Sequence, residues 1–461
     1  MKYCLSLLIA ILFFNSTTFA QNDLLQSGPM LGYSEKTEVL VWVQTTKPAK
    51  VEIKYWDRQK AKTEKIDKIA KTTTAIQTTA EGDHIARFAI GQLDHGTAYD
   101  YEVLINGKPI KHSAPYTFKT QLLWEWRSDP PDFTAAIGSC AYVSEDSVDR
   151  PGIPYGSDYH IFQMIADKKP DLMLWLGDNT YLREVDWSSW SGILHRWRHT
   201  RSLKELQPLL PSVHHYAIWD DHDYGPNDSD RGYMFKFKTL EAFKMYFGNP
   251  AYGFSDVPGV FFKFTWSDVD FFMLDDRFYR SPRYEEDTPN KTMIGKAQMQ
   301  WLKDALTTSM APFKIIACGS QVLNEYGDNE SYNLYKFERK ELIDFIRKNE
   351  IAGVLFISGD RDFTEMNRKD IDSNFYPLYD YTSSSLTAGL HRSGKDIKNP
   401  LRVPGSVFSD QHNFGLLKFS GKRKDRKLTI ETYDDKGNLL WNFSIHENDL
   451  KPKSKQSDTR H

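Results

Sequence analysis

Cysteine is scarce in this chain, with three residues among 461. Cys4 lies in an apolar N-terminal stretch, which leaves Cys140 and Cys318 for the rest of the protein. Two cysteines cannot build a disulfide framework in a chain of this size, so a small disulfide-stapled fold is excluded. Each cysteine therefore needs its own explanation.

The chain also lacks a long apolar run. The stretch Leu5–Phe14 is the longest, and its length of about ten residues suits the core of an export signal, whereas a membrane-spanning helix needs about twenty. Lys2 precedes it, and T-F-A stands before Gln21. We therefore expect a cleavable signal peptide over residues 1–20, no transmembrane segment, and an exported protein that is periplasmic or secreted.

A strong charge of either sign is absent, since the formal net charge is -3. A generally basic nucleic-acid-binding protein is not expected and no nucleic-acid-binding surface is evident, although this net charge is compatible with a local basic cleft. The length exceeds that of one usual domain and predicts two. The oligomeric state cannot be inferred from the sequence.

The segment 21–121 is predicted to be an all-β sandwich domain. Apolar and polar residues alternate in four stretches, and Asn106-Gly107 is a strong hairpin signal. The alternating stretches are Thr37–Gln44, Ala49–Trp56, His84–Ile90 and Ala98–Ile105. The stretch Leu93–Tyr101 resembles the tyrosine corner of fibronectin type III-like domains, so we expect a sandwich of that kind.

The pattern changes after a predicted linker at residues 122–131, which contains Pro130-Pro131. Strands then alternate with helices, which indicates an α/β domain over residues 132–448. Helical spacing is present in Asp158–Asp167, Tyr233–Phe247, Gly295–Thr308 and Lys336–Lys348. Residues 449–461 are polar and predicted to form a disordered tail.

The predicted strands of the second domain end in polar residues. The six apolar runs are Phe133–Gly138, Leu172–Leu176, Val213–Trp219, Val269–Leu274, Ile315–Cys318 and Val354–Ser358. They are followed by S-C, G-D-N-T-Y, D-D-H-D, D-D-R, G-S-Q and G-D-R-D, respectively. Because open α/β sheets bind ligands at the carboxyl ends of their strands, we expect a site there.

The densest of these segments is Ile218–Asp228, which reads I-W-D-D-H-D-Y-G-P-N-D. Carboxylates packed this closely repel one another, and bound cations would neutralise them. A metal site is one interpretation, and a solvated acidic turn with Asp223 as a helix cap is the alternative.

The ordered set G-S-C, G-D-N-T-Y, W-D-D-H-D, D-D-R and G-D-R-D resembles the alkaline phosphatase D (PhoD-like) branch of the calcineurin-like metallophosphatases. The resemblance extends from Gln26 to about Leu450, because that family also has an N-terminal sandwich. It implies an α/β two-sheet sandwich flanked by helices, a multinuclear metal centre, and phosphomonoesterase or phosphodiesterase activity.

Candidate metal ligands follow from donor type and from the resemblance. A thiolate and a phenolate suit a transition metal better than Mg²⁺, and the resemblance assigns Fe³⁺ to Cys140, Asp178 and Tyr181. It also implies ligation by Asp221, Asn227 and Asp360, with Asp178 bridging two cations. Without those companions a strand-end cysteine is more often a buried apolar side chain, which is our interpretation of Cys318.

The resemblance makes His222 the group beside the leaving oxygen, acting as a general acid or transition-state stabiliser. Arginine suits phosphate because its planar fork donates two parallel hydrogen bonds. Arg277, Arg361 and Arg198 are therefore candidate contacts to a phosphate ester substrate. The alternative for Arg198, in the helix-like stretch Trp187–Arg201, is a solvated position on an amphipathic helix.

The chain departs from the family pattern at Asp362, where G-D-x-H becomes G-D-R-D. With a carboxylate in place of the imidazole, we expect an all-oxygen second site that favours a hard ion such as Ca²⁺, other divalent cations being possible.

The predicted function is that of an exported phosphoric ester hydrolase in which a metal-activated water attacks phosphorus. The alternatives are a phosphodiesterase or phospholipase D-type enzyme acting on cell-envelope polymers or lipids, and a non-catalytic binding protein with a degenerate metal site.

Overall fold

The structure is a computed structural model that describes residues 24–112, 116–326, 331–390 and 399–453. The predicted signal peptide and residues 454–461 of the predicted tail lie outside these ranges. Within the described ranges, no helix combines the length and the apolar character needed to cross a bilayer.

Strands and helices alternate through most of the chain, and strands dominate both ends. The strands are β1 (Leu25–Ser34), β2 (Val39–Thr45), β3 (Lys50–Asp57), β4 (Lys71–Thr72), β5 (Ile76–Gln77), β6 (Ile85–Ile90), β7 (Ala98–Ile105), β8 (Lys108–Pro109), β9 (Tyr116–Lys119), β10 (Phe133–Gly138), β11 (Leu172–Leu176), β12 (His214–Ile218), β13 (Phe262–Trp266), β14 (Val269–Met273), β15 (Phe313–Cys318), β16 (Val354–Ser358), β17 (Glu365–Lys369), β18 (Leu378–Thr382), β19 (Asn413–Ser420), β20 (Lys427–Asp434) and β21 (Leu439–His446). The helices are α1 (Ile66–Ile69), α2 (Ile161–Asp167), α3 (Trp190–Arg201), α4 (Asp221–Tyr224), α5 (Lys236–Tyr246), α6 (Lys296–Thr308) and α7 (Lys336–Lys348).

Two large sheets carry the second domain. One has the order β21-β20-β19-β10-β11-β12-β1-β2-β6, and the other has the order β13-β14-β15-β16-β18-β17. Strands β10, β11 and β12 are parallel, as are β14, β15, β16 and β18. Their apolar side chains, among them Leu174, Phe271 and Ile316, belong to one buried core. The predicted α/β two-sheet sandwich is confirmed.

The N-terminal segment folds as the expected all-β sandwich. Strands β3, β4, β5, β7, β8 and β9 form a third sheet, which packs against β1, β2 and β6 through a separate apolar core. The hairpin at Asn106-Gly107 joins β7 to β8. The backbone N–H of Asp94 donates to the hydroxyl of Tyr99 at 2.9 Å, which is the contact expected of a tyrosine corner.

The sequence did not predict that the two segments share a sheet. Strand β1 pairs in parallel with β12 through Leu31 and His214, so one layer of the N-terminal sandwich continues the sheet of the second domain. Strands β19, β20 and β21, at the other end of this sheet, were also missed. The two predicted segments are therefore not structurally separate, because backbone hydrogen bonds between β1 and β12 join them in one sheet.

The predicted disordered tail begins too early. The short helix Glu447–Leu450 precedes residues 451–453, and Leu450 is fully buried. Its carbonyl accepts a hydrogen bond of 2.8 Å from the N–H of Gly353. An apolar anchor thus fixes residues 449–453 against the amino end of β16.

Candidate metal centre

Acidic side chains converge where parallel strands of both sheets end. Asp178 follows β11, Asp220 and Asp221 follow β12, and Asp360 follows β16. Donor atoms of Asp178, Asp221 and His222 lie within 4.8 Å of one another, and so do carboxylate oxygens of Asp220, Asp221 and Asp360. The two groups share Asp221, so they form one continuous cluster.

The turns that carry these side chains use left-handed backbone. The φ angles are +62° at Cys140, +54° at Asp178, +67° at Asp360 and +54° at Asp362. This region costs a residue other than glycine about 1–2 kcal/mol. Strain of this kind is concentrated at functional sites, where the surrounding packing maintains it.

Asp178 lies between Cys140 and Tyr181 on one side and His222 on the other. Its Oδ2 is 3.6 Å from the Sγ of Cys140 and accepts a hydrogen bond of 3.2 Å from the hydroxyl of Tyr181. Its Oδ1 accepts a 3.3 Å hydrogen bond from the backbone N–H of His222. The structure therefore brings the predicted thiolate, phenolate and bridging carboxylate together.

Asp220 is a candidate ligand that sequence reasoning missed. It was seen as part of the acidic segment but was not selected, although it is fully buried and joins Asp221 and Asp360. Its place in a D-D pair at a strand end was the available signal. Two glycines make room for it, because a Cβ on Gly177 or Gly319 would lie 2.6–2.7 Å from atoms of the Asp220 side chain.

The cluster perturbs the proton affinities of its members. Burial and the charges of Asp221 and Asp220 raise the pKa of Asp178 well above its usual range. Burial also raises the pKa of Cys140, together with the charges of Asp362 and Asp178. In Asp221 burial acts in the same direction but is outweighed by His222 and an arginine, so its pKa falls to about 2.

Two carboxylate oxygens of the cluster, and one of the nearby Asp362, lack donors. Asp220 Oδ2, Asp221 Oδ1 and Asp362 Oδ1 are buried without a hydrogen-bond partner among the described residues. Buried carboxylate oxygens left in this state are costly unless a cation or a proton compensates. The residues present therefore fit bound cations, with thiolate and phenolate donors near one end of the cluster and carboxylates alone at the other.

A second layer of hydrogen bonds holds the two central turns together. Asp223 accepts the N–H of Asp220 at 2.7 Å and the side-chain amide of Asn179 at 2.6 Å. Asn179 also donates to the carbonyl of Ile218 at 2.8 Å. Asp223 therefore closes the capping box of α4 from inside its first turn, whereas the N-cap position is occupied by Asp220.

His222 lies at the opening of the cluster with 25% of its side chain exposed. Its ring stacks on Tyr181 with a centroid separation of 4.2 Å, and its Nε2 lies 3.9 Å from Asp221 Oδ2. Stacking fixes the ring orientation while solvent access remains. This placement is compatible with proton donation to a bound substrate.

Asp362 is on the thiolate side of the cluster, which corrects the expectation that it completes an all-oxygen second site. Its N–H donates to Ser384 Oγ at 2.9 Å, and Ser384 Oγ donates to Cys140 Sγ at 3.0 Å. Its Oδ2 accepts a hydrogen bond of 2.9 Å from Tyr155. Burial raises its pKa to about 7.

Two of the three predicted phosphate-binding arginines have other partners. Arg277 is fully buried, its Nε donates to Asp220, and its Nη2 lies 3.9 Å from Asp221. Arg198 forms an ion pair with Asp83 of the N-terminal segment. We therefore assign charge compensation to Arg277 and a tie between the two segments to Arg198, in place of substrate contacts.

The remaining residues singled out in the sequence lie in three different surroundings. Arg361 lies beside the cluster on the β16 turn, with its guanidinium 5.4 Å from the ring of Phe363. Asn227 is exposed on the turn after α4 and stays a prediction as a ligand. Cys318 is fully buried in the main core, as interpreted from the sequence.

Comparisons with known proteins agree with this geometry. A family model for PhoD-like phosphatases matches residues 136–396, and one for a domain of unknown function matches residues 22–122. Alkaline phosphatase D from Bacillus subtilis (strain 168) is 24% identical over 332 residues, which cover 60% of this chain and 54% of that protein. This chain thus matches about half the length of its curated relative.

Two solved structures show the same fold at low identity. One described as the structure of PhoD aligns with a TM-score of 0.73 and 16% identity, covering 91% of this chain and 92% of that one. Purple acid phosphatase PPD1 from yellow lupin (Lupinus luteus) seeds aligns with a TM-score of 0.62 and 13% identity, covering 91% and 74%. With more than half of its length matched by the family model, the chain belongs to the PhoD-like phosphatase family.

Proposed function

We propose that this protein is a metal-dependent phosphoric ester hydrolase. The observation that carries the proposal is the convergence of Asp178, Asp220, Asp221 and Asp360 at one edge, with buried oxygens that lack donors. Membership of the PhoD-like phosphatase family supports the same conclusion. Perturbed carboxylates beside a partly exposed histidine are typical of catalytic sites.

Donor chemistry suggests which metals the two ends prefer. Cys140, Asp178 and Tyr181 combine a thiolate, a carboxylate and a phenolate, a set that favours Fe³⁺. Asp220, Asp221 and Asp360 offer oxygen alone, a set that favours Ca²⁺ or another hard divalent cation. When bound, such cations neutralise phosphoryl oxygens and make a water nucleophilic at neutral pH.

The residues of the chain have separate tasks in this hydrolysis. Arg277 lies between Asp220 and Asp221 and limits their mutual repulsion. We assign proton donation to the leaving alkoxide to His222, whose ring is held by its stack on Tyr181. Of the three arginines considered, Arg361 remains as the candidate phosphate contact.

Export and the class of ester are further parts of the proposal. The apolar stretch before Gln21 supports secretion or periplasmic export, and N-terminal sequencing of the expressed protein should give a mature chain beginning at Gln21. Monoesters and diesters both suit the proposed chemistry, and diesters include cell-envelope polymers and phospholipids.

The test is metal content measured together with activity. The mature chain is purified, its iron and calcium are quantified, and a chromogenic phosphomonoester and the matching diester are assayed with and without chelator. Stoichiometric metal and chelator-sensitive turnover are expected, and the better substrate identifies the ester class. Asp221→Ala should lose both properties, whereas Asp370→Ala, at a side chain that is 75% exposed, is the matched control.

A protein that takes up no metal and stays inactive after reconstitution would contradict the proposal. Recovery of activity in Asp362→His would then identify the missing imidazole as the cause. No recovery would favour the non-catalytic binding protein.

A further inference from the structure

Three tyrosine rings, those of Tyr142, Tyr155 and Tyr181, form an aromatic wall on the thiolate side of the carboxylate cluster. The ring of Tyr155 lies edge-on to that of Tyr142, with 4.8 Å between centroids, and its centroid is 6.4 Å from that of Tyr181. The centroids of Tyr142 and Tyr181 are 5.0 Å apart. Because Tyr181 also stacks on His222 at 4.2 Å, aromatic carbon borders the opening of the cluster from His222 to Tyr155.

Tyr155 is the residue of the aromatic wall that solvent reaches most easily. It is 45% exposed, whereas Tyr181 is 4% exposed. Ile153, two residues earlier in the same loop, is 95% exposed, so the apolar surface continues outward from the ring. Exposed apolar side chains beside a polar site are typical of a contact for an apolar part of a ligand.

Several contacts hold the Tyr155 ring in place. Its hydroxyl donates to Asp362 Oδ2 at 2.9 Å. The ring packs so closely on Gly389 that a Cβ at that position would overlap it. Tyr142 is in turn supported by the guanidinium of Arg183, which lies 3.9 Å from its ring centroid. The aromatic wall is therefore preorganised, so a ligand that packs on it has little ordering cost to overcome.

The role assigned to His222 decides which part of a substrate meets this ring. Proton donation by His222 requires the leaving oxygen to lie at His222. In the series of ring contacts, Tyr181 lies between His222 and Tyr155. The Tyr155 side is thus left for the group that stays on phosphorus. Because the one proton of the Tyr155 hydroxyl is donated to Asp362, ring carbon is what Tyr155 offers to that group.

We propose that the Tyr155 ring makes this enzyme selective for phosphoric and phosphonic esters whose retained substituent, the group that stays on phosphorus, is apolar. The retained substituent packs on the Tyr155 ring while the leaving alcohol lies at His222. The inference rests on the hydrolase activity proposed above, and it names the substrate class of that site.

Two esters that differ only in the retained substituent test the inference. The esters p-nitrophenyl phenylphosphonate and p-nitrophenyl methylphosphonate have the same charge and the same leaving group. In both, water adds its oxygen to phosphorus, the P–O bond to p-nitrophenolate breaks, and a proton is released. The ratio of their kcat/KM values, phenyl over methyl, should fall about tenfold in Tyr155→Ala. Tyr155→Phe keeps the ring and should keep the wild-type ratio.

The ratio isolates contact with the retained substituent, because a purely structural role of Tyr155 would change turnover of both esters alike. Trp126→Ala, at a side chain in the predicted linker that is 92% exposed, is the matched control and should keep the wild-type ratio. Calorimetric titration of the metal-loaded protein with phenylphosphonate and methylphosphonate adds a readout without turnover. The wild-type protein should prefer phenylphosphonate, and Tyr155→Ala should lose this preference.

The possible failures of this test are distinguishable. Turnover of both esters with an unchanged ratio in Tyr155→Ala would overturn the inference and leave the proposed function standing. Equal falls of the ratio in Tyr155→Ala and Tyr155→Phe would also overturn it, because the hydrogen bond to Asp362 would then be the cause. A metal-loaded wild-type protein that hydrolyses neither these esters nor the chromogenic phosphate esters would overturn the proposed function together with the inference.

Discussion

Buried aspartates in the second domain occur in two different surroundings. In the cluster, Asp220 Oδ2 and Asp221 Oδ1 have no hydrogen-bond donor among the described residues. At Asp380 in β18, Oδ2 accepts the N–H groups of Val322 and Leu323 at 2.7 and 2.9 Å, and Oδ1 accepts the hydroxyl of Ser358 at 3.0 Å.

Burial raises the pKa of Asp380 as it does that of Asp178, so burial alone does not distinguish the two regions. The distinction lies in the second cause of each shift. Like charges on Asp221 and Asp220 act on Asp178, whereas backbone N–H groups oppose the shift at Asp380. Asp380 therefore holds the loop at Val322 and Leu323 in place, whereas the cluster has carboxylate oxygens that remain free to bind cations.

Asp178→Asn should produce the largest effect on activity. Removing the carboxylate between the thiolate side and the oxygen side should lower kcat/KM by at least about 100-fold. The same change should stabilise chelator-treated protein by about 1 kcal/mol, because it removes a buried like charge. Steady-state kinetics and urea unfolding measure the two effects, and an active, destabilised variant would contradict the assignment.

Asp380→Ala should show the opposite pattern. Without the carboxylate, the N–H groups of Val322 and Leu323 lose their acceptor, so the free energy of unfolding should fall by about 2–3 kcal/mol. Bound metal per folded molecule should stay unchanged. If metal content falls in proportion to activity instead, the separation between loop-organising and cluster aspartates is wrong.

The elements that sequence analysis located well are those with a local signal. Strand β16 (Val354–Ser358) is a continuous apolar run, and α7 (Lys336–Lys348) has helical spacing, so the predicted and observed bounds agree. The pairing of β1 with β12 has no comparable signal, because Leu31 and His214 meet only after two distant segments have folded. The alternation in β20 (Lys427–Asp434) was readable and was missed.

The candidate site also contains some features that the sequence could show and others that depend on the folded structure. Donor types and strand ends made Cys140, Asp178 and Tyr181 candidates, and the resemblance to the PhoD-like family selected them as a set, which the structure brings together. Side-chain direction was not readable, so Asp362 was expected on the all-oxygen side. Arg277 was expected to face substrate, because a sequence does not show that Asp220 occupies its Nε.

Glu338 in α7 is a buried carboxylate that, like Asp380, accepts hydrogen bonds from backbone N–H groups, and the pH dependence of stability tests its pKa. Its carboxylate accepts the N–H groups of Ile294 and Gly295 at 3.2 and 3.0 Å, yet burial raises its pKa from 4.5 to about 7. Between these values the folded state keeps a proton that the unfolded state has lost. Its contribution to stability is therefore complete below pH 4.5 and declines as pH rises to 7.

Glu338→Gln should remove this pH dependence. Relative to the variant, the wild-type protein should lose up to about 1.4 kcal/mol of unfolding free energy per pH unit across that window. Urea unfolding of both proteins at pH 5, 6 and 7 measures the difference. Parallel pH profiles would show that the donors hold the pKa of Glu338 near its ordinary value.

Arg198→Ala should have the smallest effect and tests the corrected role of this arginine. Its Nε donates to Asp83 at 3.2 Å, and its side chain is 39% exposed, so solvent screening limits the loss of stability to about 1 kcal/mol or less. Asp83 keeps the side-chain amide of Gln44 as a donor at 3.0 Å. A tie between the segments should leave KM for a phosphate ester unchanged. A clear rise in KM without loss of stability would restore Arg198 as a substrate contact, and would imply that its pair with Asp83 opens when substrate binds.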